Sequence, residues 1–449
     1  MTNLNTLRAH PIGLPESPRK ITPVVTGKRA WGMTGLVVFL YTVNYADKAV
    51  LGIIAQPLAR ELGLSSSQIG LVGSLFFTTF AIGGFLAGPL NKYLTLRWAL
   101  LALALIWSVV MLPLVFTATF AVLIAGRMAL GLAEGPSTAL IHTAAYSWHP
   151  PAKRGLVSAI LSSSASVAKI LFAPVLAYIS IEYGWRVTLL AISAIGVVWA
   201  AFWLVGWKEG PFTTLTAADA DTDSPTAFVA ESSREPSVPW RRIFLSRTFI
   251  ACTFLAMSLY ALTTIVLTWL PSYFELGLGY SAMQAGSLFA LPSLAALTTM
   301  IASGAVTDRL IQRHVSSRIA RIGVACAGVL VCGEVLITLP LIDVPIATVI
   351  VLTIGYGAGM VAVPLLHSAV SELCPPQQTA GTMGMYMALM ALGGLIAPYA
   401  TGVVVDHADT PAAGYALAFQ GSGVWVVVAG IVALLIANPD RDGMMIRRT

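Results

Sequence analysis

The sequence is poor in charge. Asp, Glu, Lys and Arg supply 10% of its 449 residues while hydrophobic residues supply 57%. A water-soluble protein needs roughly 25% charged residues to cover its surface, so a soluble globular domain is excluded. Cysteine is scarce as well: Cys252, Cys326, Cys332 and Cys374 have neither zinc nor disulfide spacing, and no chemistry is assigned to them. Residues 1–29 lack an apolar core and a cleavage site, which makes them a tail and not a signal peptide. The chain offers no metal-ligand set and no nucleophile–base pair, so neither an enzyme, a metal nor a cofactor is expected.

What is present is long apolar runs. Crossing the hydrocarbon takes about 20 mostly apolar residues. Twelve such spans are read near 31–56, 68–90, 98–118, 120–147, 154–180, 185–207, 246–274, 282–306, 318–340, 345–370, 379–404 and 413–437. They must be helices, because an open sheet would leave backbone groups unpaired in lipid. The fold class is therefore all-α and polytopic, with the bilayer as the protein's solvent.

The net charge of +6 invites a nucleic-acid partner, and the placement of the charges removes it. Most Lys and Arg lie in the two tails and the even-numbered loops, among them Arg19, Lys28, Arg97, Arg154, Arg241, Arg313 and Arg448. The opposite side carries only Arg60 and Arg186, and three cations lie inside spans: Lys48, Arg127 and Lys169. By the positive-inside rule both termini are cytoplasmic.

Three segments recur. Glu61-Leu-Gly-Leu returns at Glu275, Gly73-Ser-Leu-Phe at Gly286, and the stretch from Gly88 to Arg97 has a counterpart from Gly304 to Arg313, all at an offset of about 214 residues. Between the halves the composition turns to Thr, Ala, Asp, Ser and Pro, as in linkers. The expected organisation is a tail at 1–30, a six-helix bundle at 31–207, a cytoplasmic linker at 208–245, a second bundle at 246–437 and a tail at 438–449. Two parallel repeats sharing a midplane site describe a rocker-type transporter.

The stretch Gly304-Ala-Val-Thr-Asp308-Arg309-Leu-Ile-Gln-Arg313 resembles the loop motif of major facilitator transporters. That resemblance implies twelve helices in two halves and a conformational role for Gly304, Asp308, Arg309 and Arg313, and for Gly88, Asn91 and Arg97 in the first copy. There Asn91 stands where the family has Asp, a change that weakens the implied latch. A closer likeness runs through Asn44-Tyr-Ala-Asp-Lys48, Arg127-Met-Ala-Leu-Gly-Leu-Ala-Glu-Gly135, Trp148-His-Pro-Pro-Ala-Lys-Arg154, Gly184-Trp-Arg186 and Thr268-Trp-Leu-Pro-Ser-Tyr273. Together these resemble the anion:cation symporter family, which includes bacterial sugar-acid and aromatic-acid importers and the animal sialin and vesicular glutamate transporters. The resemblance implies transport of a small organic anion together with protons, across the inner membrane of the cell.

Charged groups at a span centre cost about 2.5–3.5 kcal/mol on insertion scales, so each needs a reason. Asp47 and Lys48 are adjacent and point about 100° apart, so they cannot share one partner. Arg127 and Glu134 lie two turns apart on one helical face, roughly 10.5 Å between Cα atoms. Burial favours a neutral carboxyl and a nearby cation favours the ionised form, the tension a proton carrier needs. By resemblance Asp47 and Glu134 are the coupling carboxylates. His142 lies eight residues beyond Glu134, toward the cytoplasmic mouth, and is a third coupling candidate against a plain packing role.

Lys169 answers to no motif of the family. It is too deep to snorkel, so it must meet Asp47, Glu134 or the substrate; a fixed internal ion pair is the alternative to substrate binding. Glu334 reads as solvated near the outer end of its span. Arg127, Lys48 and Tyr45 join Lys169 as substrate-binding candidates, together with His367 and Tyr386 from the second half. His367 and the methionine-rich stretch Gly384–Met390 stand where the sugar-acid importers carry Trp and Asn. Unpaired hydroxyls cost about 1–3 kcal/mol each, and Met adapts to flat apolar groups. The pocket thus suits a weakly hydroxylated or aromatic acid. The expected function is proton-coupled import of an organic carboxylate by a monomer. The rival is a proton-driven multidrug or organic-anion exporter, against which the glycine-free stretch Lys169-Ile-Leu-Phe-Ala-Pro174 counts. A membrane sensor would add a soluble signalling domain.

Overall fold

A computed structural model of the protein describes residues 27–149, 154–211, 237–375 and 378–447. The described residues are mostly helical, with no strand among them. The N-terminal set comprises α1 (Lys28–Leu62), α2 (Ser66–Gly84), α3 (Ala87–Tyr93), α4 (Leu96–Val110), α5 (Leu112–Phe116), α6 (Phe120–Glu134), α7 (Ser137–Tyr146), α8 (Arg154–Val167) and α9 (Ala173–Gly206). The C-terminal set comprises α10 (Trp240–Phe244), α11 (Arg247–Ser272), α12 (Ala282–Leu288), α13 (Ala290–Gln312), α14 (Val324–Thr338), α15 (Pro345–Met360), α16 (Ala362–Ser371), α17 (Thr379–Ala391), α18 (Gly393–His407), α19 (Pro411–Ile436) and α20 (Pro439–Arg447). Single π-helical turns occupy Ala168–Phe172, Tyr273–Gly277 and Arg318–Gly323.

Ten helices among the described residues are long and apolar enough to cross a membrane. The difference from the twelve spans expected lies in two places. The expected span at 120–147 is interrupted between α6 and α7 at Gly135-Pro136, so neither piece is long enough alone. The expected fifth and sixth spans form one helical run, Ile160–Gly206, which Gly184 breaks at φ 84°, ψ 162°. That backbone lies in the region glycine enters freely. Large apolar side chains stand exposed on the outside, Val205 at 89% and Phe116 at 83% among them. In water such a surface would aggregate; in hydrocarbon it is the correct one.

Two elements were not expected. Of the linker at 208–245, residues 212–236 lie outside the described set, but its end folds as helix α10. The C-terminal tail likewise forms α20, anchored where Asp442 accepts from the Thr248 N–H at 2.9 Å and from its hydroxyl at 2.7 Å.

Helices α1 and α11 meet through their C-terminal parts. A Cβ added at Gly52 would lie 2.4 Å from the Leu267 carbonyl oxygen, so only glycine allows this approach. Gln56 donates to the Ser272 hydroxyl at 3.1 Å, and Arg60 pairs with Glu275 at 3.2 Å. The start of α2 abuts the end of α18: Asp406 accepts from the N–H groups of Ser66 (2.8 Å) and Ser67 (2.7 Å). Cβ atoms at Gly70 and Gly402 would each strike backbone oxygen at 2.3 Å. Gly286 of α12 lies against Ala177 of α9. These contacts close the face opposite the described chain ends. The repeat is visible here too. Ser65 with Gln68, and Ser281 with Gln284, build the same capping box at the start of α2 and α12.

Candidate substrate and proton site

The midspan charges of the N-terminal set gather between α1, α2 and α6. Helix α6 comes close because Gly131 faces the α2 backbone; a Cβ there would lie 2.3 Å from the Phe76 oxygen. Arg127 and Glu134 therefore share the buried face, at 2% and 0% exposure. They do not pair with each other among the described residues. Glu134 lies 3.3 Å from Lys48, whose ammonium also donates to the Asn44 side-chain oxygen. Arg127 donates to the main-chain oxygen of Asp47 at 3.2 Å and lays its guanidinium over the Phe76 ring at 4.4 Å. Adjacent positions on α1 thus serve different partners, as their angular separation requires.

The Lys48 ammonium is also flanked by the rings of Tyr45 (4.6 Å) and Phe80 (4.8 Å). Such cation–π contacts suit a desolvated cation. The Lys48 ammonium and the Asn44 side chain both lie against the Glu134 carboxylate, Lys48 at 3.3 Å. Arg127 Nε is buried without a hydrogen-bond partner among the described residues. A buried carboxylate beside one cation changes its bonding when it takes up a proton, since the protonated acid no longer pairs with the ammonium.

Lys169 sits in the π turn between α8 and α9. Pro174 has no N–H to offer the Ile170 carbonyl, and the helical ladder widens just before it. Lys169 is 6% exposed, and no ion pair to it forms among the described residues. Of the partners the sequence allowed, Asp47 and Glu134 are therefore not engaged. Its ammonium lies 5.8 Å from the centre of the Phe289 ring, which belongs to the C-terminal set. Nearby, Ser166 bridges to the Ser293 carbonyl at 3.2 Å, and the Ser293 hydroxyl is buried without a partner. Lys169 thus stands at the seam between the two helix sets.

A polar row leads away from the cluster. The Tyr45 and Tyr41 hydroxyls lie 3.4 Å apart, and Tyr41 reaches the Thr138 hydroxyl at 3.2 Å. His142 is half-buried, with Nδ1 at 2.7 Å from the Thr138 carbonyl and its ring edge-on to Tyr41 at 6.0 Å. The interruption at Gly135-Pro136 means that the Glu134–His142 offset cannot be read as one straight helix.

His367 and Tyr386 meet each other, edge to face at 5.5 Å, and His367 Nε2 is buried without a hydrogen bond. Tyr386 is 1% exposed, and neither residue bonds to the charge cluster among the described residues. The motif segments are largely helical, the first crossing the short α3–α4 connection at Leu94-Thr95. Gly88 and Asn91 lie in α3, and Gly304, Asp308 and Arg309 lie in the last turns of α13, with Arg313 as its C-cap. The Asp308 side chain is outside the described set. Cβ atoms at Gly88 and Gly304 would meet nothing within 4 Å, so neither copy is clamped by a neighbour there. Arg97 turns inward to the Leu204 carbonyl. Glu334 is exposed on the surface of α14. No group of three or more His, Cys, Asp or Glu able to hold a metal occurs among the described residues.

Asn44, Ser293 and Asp406 escaped the sequence reading as site residues. Asn44 stood inside a quoted motif, so a signal was available; an isolated Ser in an apolar span gives none.

Helices that span a bilayer, a seam with one side sealed, and buried charges at its middle define a multi-pass membrane transporter and not an enzyme. The sequence signature of the Major Facilitator Superfamily matches residues 37–398, and the chain belongs to that family. It is 26% identical to a hexuronate transporter of Bacillus subtilis over 90% of this chain and 94% of that protein. It is also 26% identical to a probable sulfoacetate transporter of Cupriavidus necator over 90% of this chain and 93% of the relative. Among solved structures, a bacterial homolog of the human lysosomal transporter Spinster, inward-facing and occupied, superposes with a TM-score of 0.75 at 16% identity, covering 93% of this chain and 98% of that one. A D-xylose-proton symporter gives 0.74 at 15% identity, over 92% and 99%.

Proposed function

We propose that this transporter imports an organic carboxylate together with protons by alternating access, working as a monomer in the inner membrane. The single observation that carries the reading is Lys169, a buried cation at the seam with no carboxylate paired to it among the described residues. A buried, unpaired charge costs several kcal/mol, and an anionic substrate is the partner that offsets it. The named substrates of the relatives, hexuronate and sulfoacetate, are anions, which supports the same class. The methionines of α17 and the His367–Tyr386 pair favour a weakly hydroxylated or aromatic acid.

Protons enter through Glu134 and Asp47. Three cations (Lys48, Arg127, Lys169) and two carboxylates leave +1 when both acids are ionised and +3 when both are protonated. An anion is drawn in best once protons are bound, and linkage makes the effect reciprocal: substrate raises proton affinity. His142, with Tyr45 and Tyr41 before it, lies on the side of the described chain ends, where a proton would leave. With termini in the cytoplasm, two bundles at 31–207 and 246–437 and a linker between them, the sealed face is the outer one, and the arrangement is inward-facing.

The test is the affinity of Lys169→Met for an acid and for its neutral amide. The variant should lose most of its preference for the acid, about 2–5 kcal/mol for a buried pair. A preference equal to that of the parent would assign Lys169 to packing alone. Uptake into proteoliposomes that follows a sodium gradient at constant pH would overturn the proton coupling.

A further inference from the structure

An arginine-lined cavity lies away from the buried charge cluster. Helices α10 and α20, one in the expected linker and one in the tail, flank an open cavity of about 590 Å³ lined by Arg241, Arg242, Arg247, Leu245, Asp442 and Met445. The cavity is built from fixed parts. Gln378 holds Val238 through both its main-chain N–H (2.9 Å) and its oxygen (2.8 Å). The Trp240 ring covers Gly381 so closely that a Cβ there would lie 2.6 Å from it, and Ile243 is fully buried. This leaves Arg241 and Arg242 on the exposed side of α10. On the other wall Asp442 fixes α20 to Thr248, and Arg447 donates to the Cys374 carbonyl at 3.2 Å.

Among the described lining residues arginine predominates, and the one carboxylate, Asp442, is engaged by the Arg441 guanidinium at 2.8 Å and by Thr248. Arg241 and Arg247 form no ion pair among the described residues. The positive-inside bias asks only that arginines lie on this face; it does not place three of them around one cavity whose acid is already paired. Guanidinium groups match the oxygens of a phosphate in two-point geometry.

The rim names the source of the phosphate. Leu245 (60% exposed) and Met445 (52%) line the cavity beside the arginines. Arg247 is the first residue of α11, so the cavity sits where that helix enters the apolar zone. A soluble anion would leave this apolar rim bare, whereas acyl chains would cover it. We propose that the cavity binds the phosphodiester headgroup of an anionic phospholipid, tying the linker helix and the C-terminal helix to the membrane surface.

The test uses the full chain in detergent micelles, with binding read by native mass spectrometry and by the shift in melting temperature. Phosphatidylglycerol should bind and raise the melting temperature; phosphatidylcholine and soluble glycerol phosphate should do neither. Arg241→Gln with Arg247→Gln should weaken phosphatidylglycerol binding roughly thirtyfold, from about a factor of five per basic residue near an anionic headgroup. Arg309→Gln with Arg313→Gln, both exposed at the end of α13, should leave it unchanged. Equal binding of phosphatidylcholine would reduce the site to an apolar rim, and equal binding of glycerol phosphate would make it a site for a free anion. Undiminished binding by the Arg241/Arg247 variant would place the lipid elsewhere. Each of these three results overturns the proposal. Should the double variant fail to fold, Arg247→Gln alone should show a weakening of about fivefold.

Discussion

Asp406 offers a direct test of how the closed face is held. Its carboxylate takes the N–H groups of Ser66 and Ser67, the first two residues of α2, across the seam between the helix sets. Helix α2 does not depend on it to fold, because Ser65 caps the Gln68 N–H and Gln68 returns the bond. When the face opens, water replaces Asp406 at the two N–H groups and the internal capping box persists. Asp406→Ala should therefore leave the fold intact and remove stabilisation from the closed state alone. Losing a helix cap costs about 1 kcal/mol, within a range of about 0.5–2; the position is exposed, so the lower half of that range applies. One kcal/mol is about a fivefold change in an equilibrium constant. The seam can be read with Thr268→Cys, a position 3% exposed beside Gly73, because the four native cysteines are all buried. An impermeant maleimide applied from the closed face should label Cys at 268 about two- to fivefold faster in the Asp406→Ala background. An unchanged labelling rate would refute the assignment of Asp406 as an interhalf tie.

Gly70→Val should act in the same direction and further, since its Cβ would lie 2.3 Å from the Pro398 oxygen and backbone cannot swing aside; the same labelling assay reads it. Glu134→Gln mimics the protonated acid, so exchange of substrate across the membrane should persist and accumulation against a gradient should cease; accumulation at the parental level would remove Glu134 from the coupling. At Asp442, burial alone would push the carboxyl up, but bonds from Arg441 and Thr248 hold it below its ordinary range. That stabilisation is present above the unfolded carboxylate value and is lost as pH falls through the depressed folded one. Asp442→Asn should thus melt lower than the parent at neutral pH, by about 1–3 kcal/mol of stability, with the gap closing in acid.

Hydropathy is a local property, and the sequence alone sufficed for what depends on it. The bilayer as solvent, the all-helical fold, the repeat linking Glu61 to Glu275 and the five buried charges were all legible, because each follows from residue type and spacing along the chain. The breaks at Gly135-Pro136 and Gly184 were not, since whether such a residue kinks, reverses or merely bends a helix is set by what packs against it. Helix α10 lies in a segment whose composition reads as linker; the burial of Ile243 and the Trp240–Gly381 contact fix it. The pairing of charges was also beyond the sequence. Arg127 and Glu134 share a face, yet each turns to α1, the one to the Asp47 carbonyl and the other to Lys48, because at roughly 10.5 Å of separation another helix is nearer than the partner. Lys169 was visible as a deep cation in the sequence, but only the tertiary structure left it without a carboxylate among the described residues. Ion pairs form between side chains whose approach is decided by helices distant in sequence, and that geometry exists only once the bundle has closed.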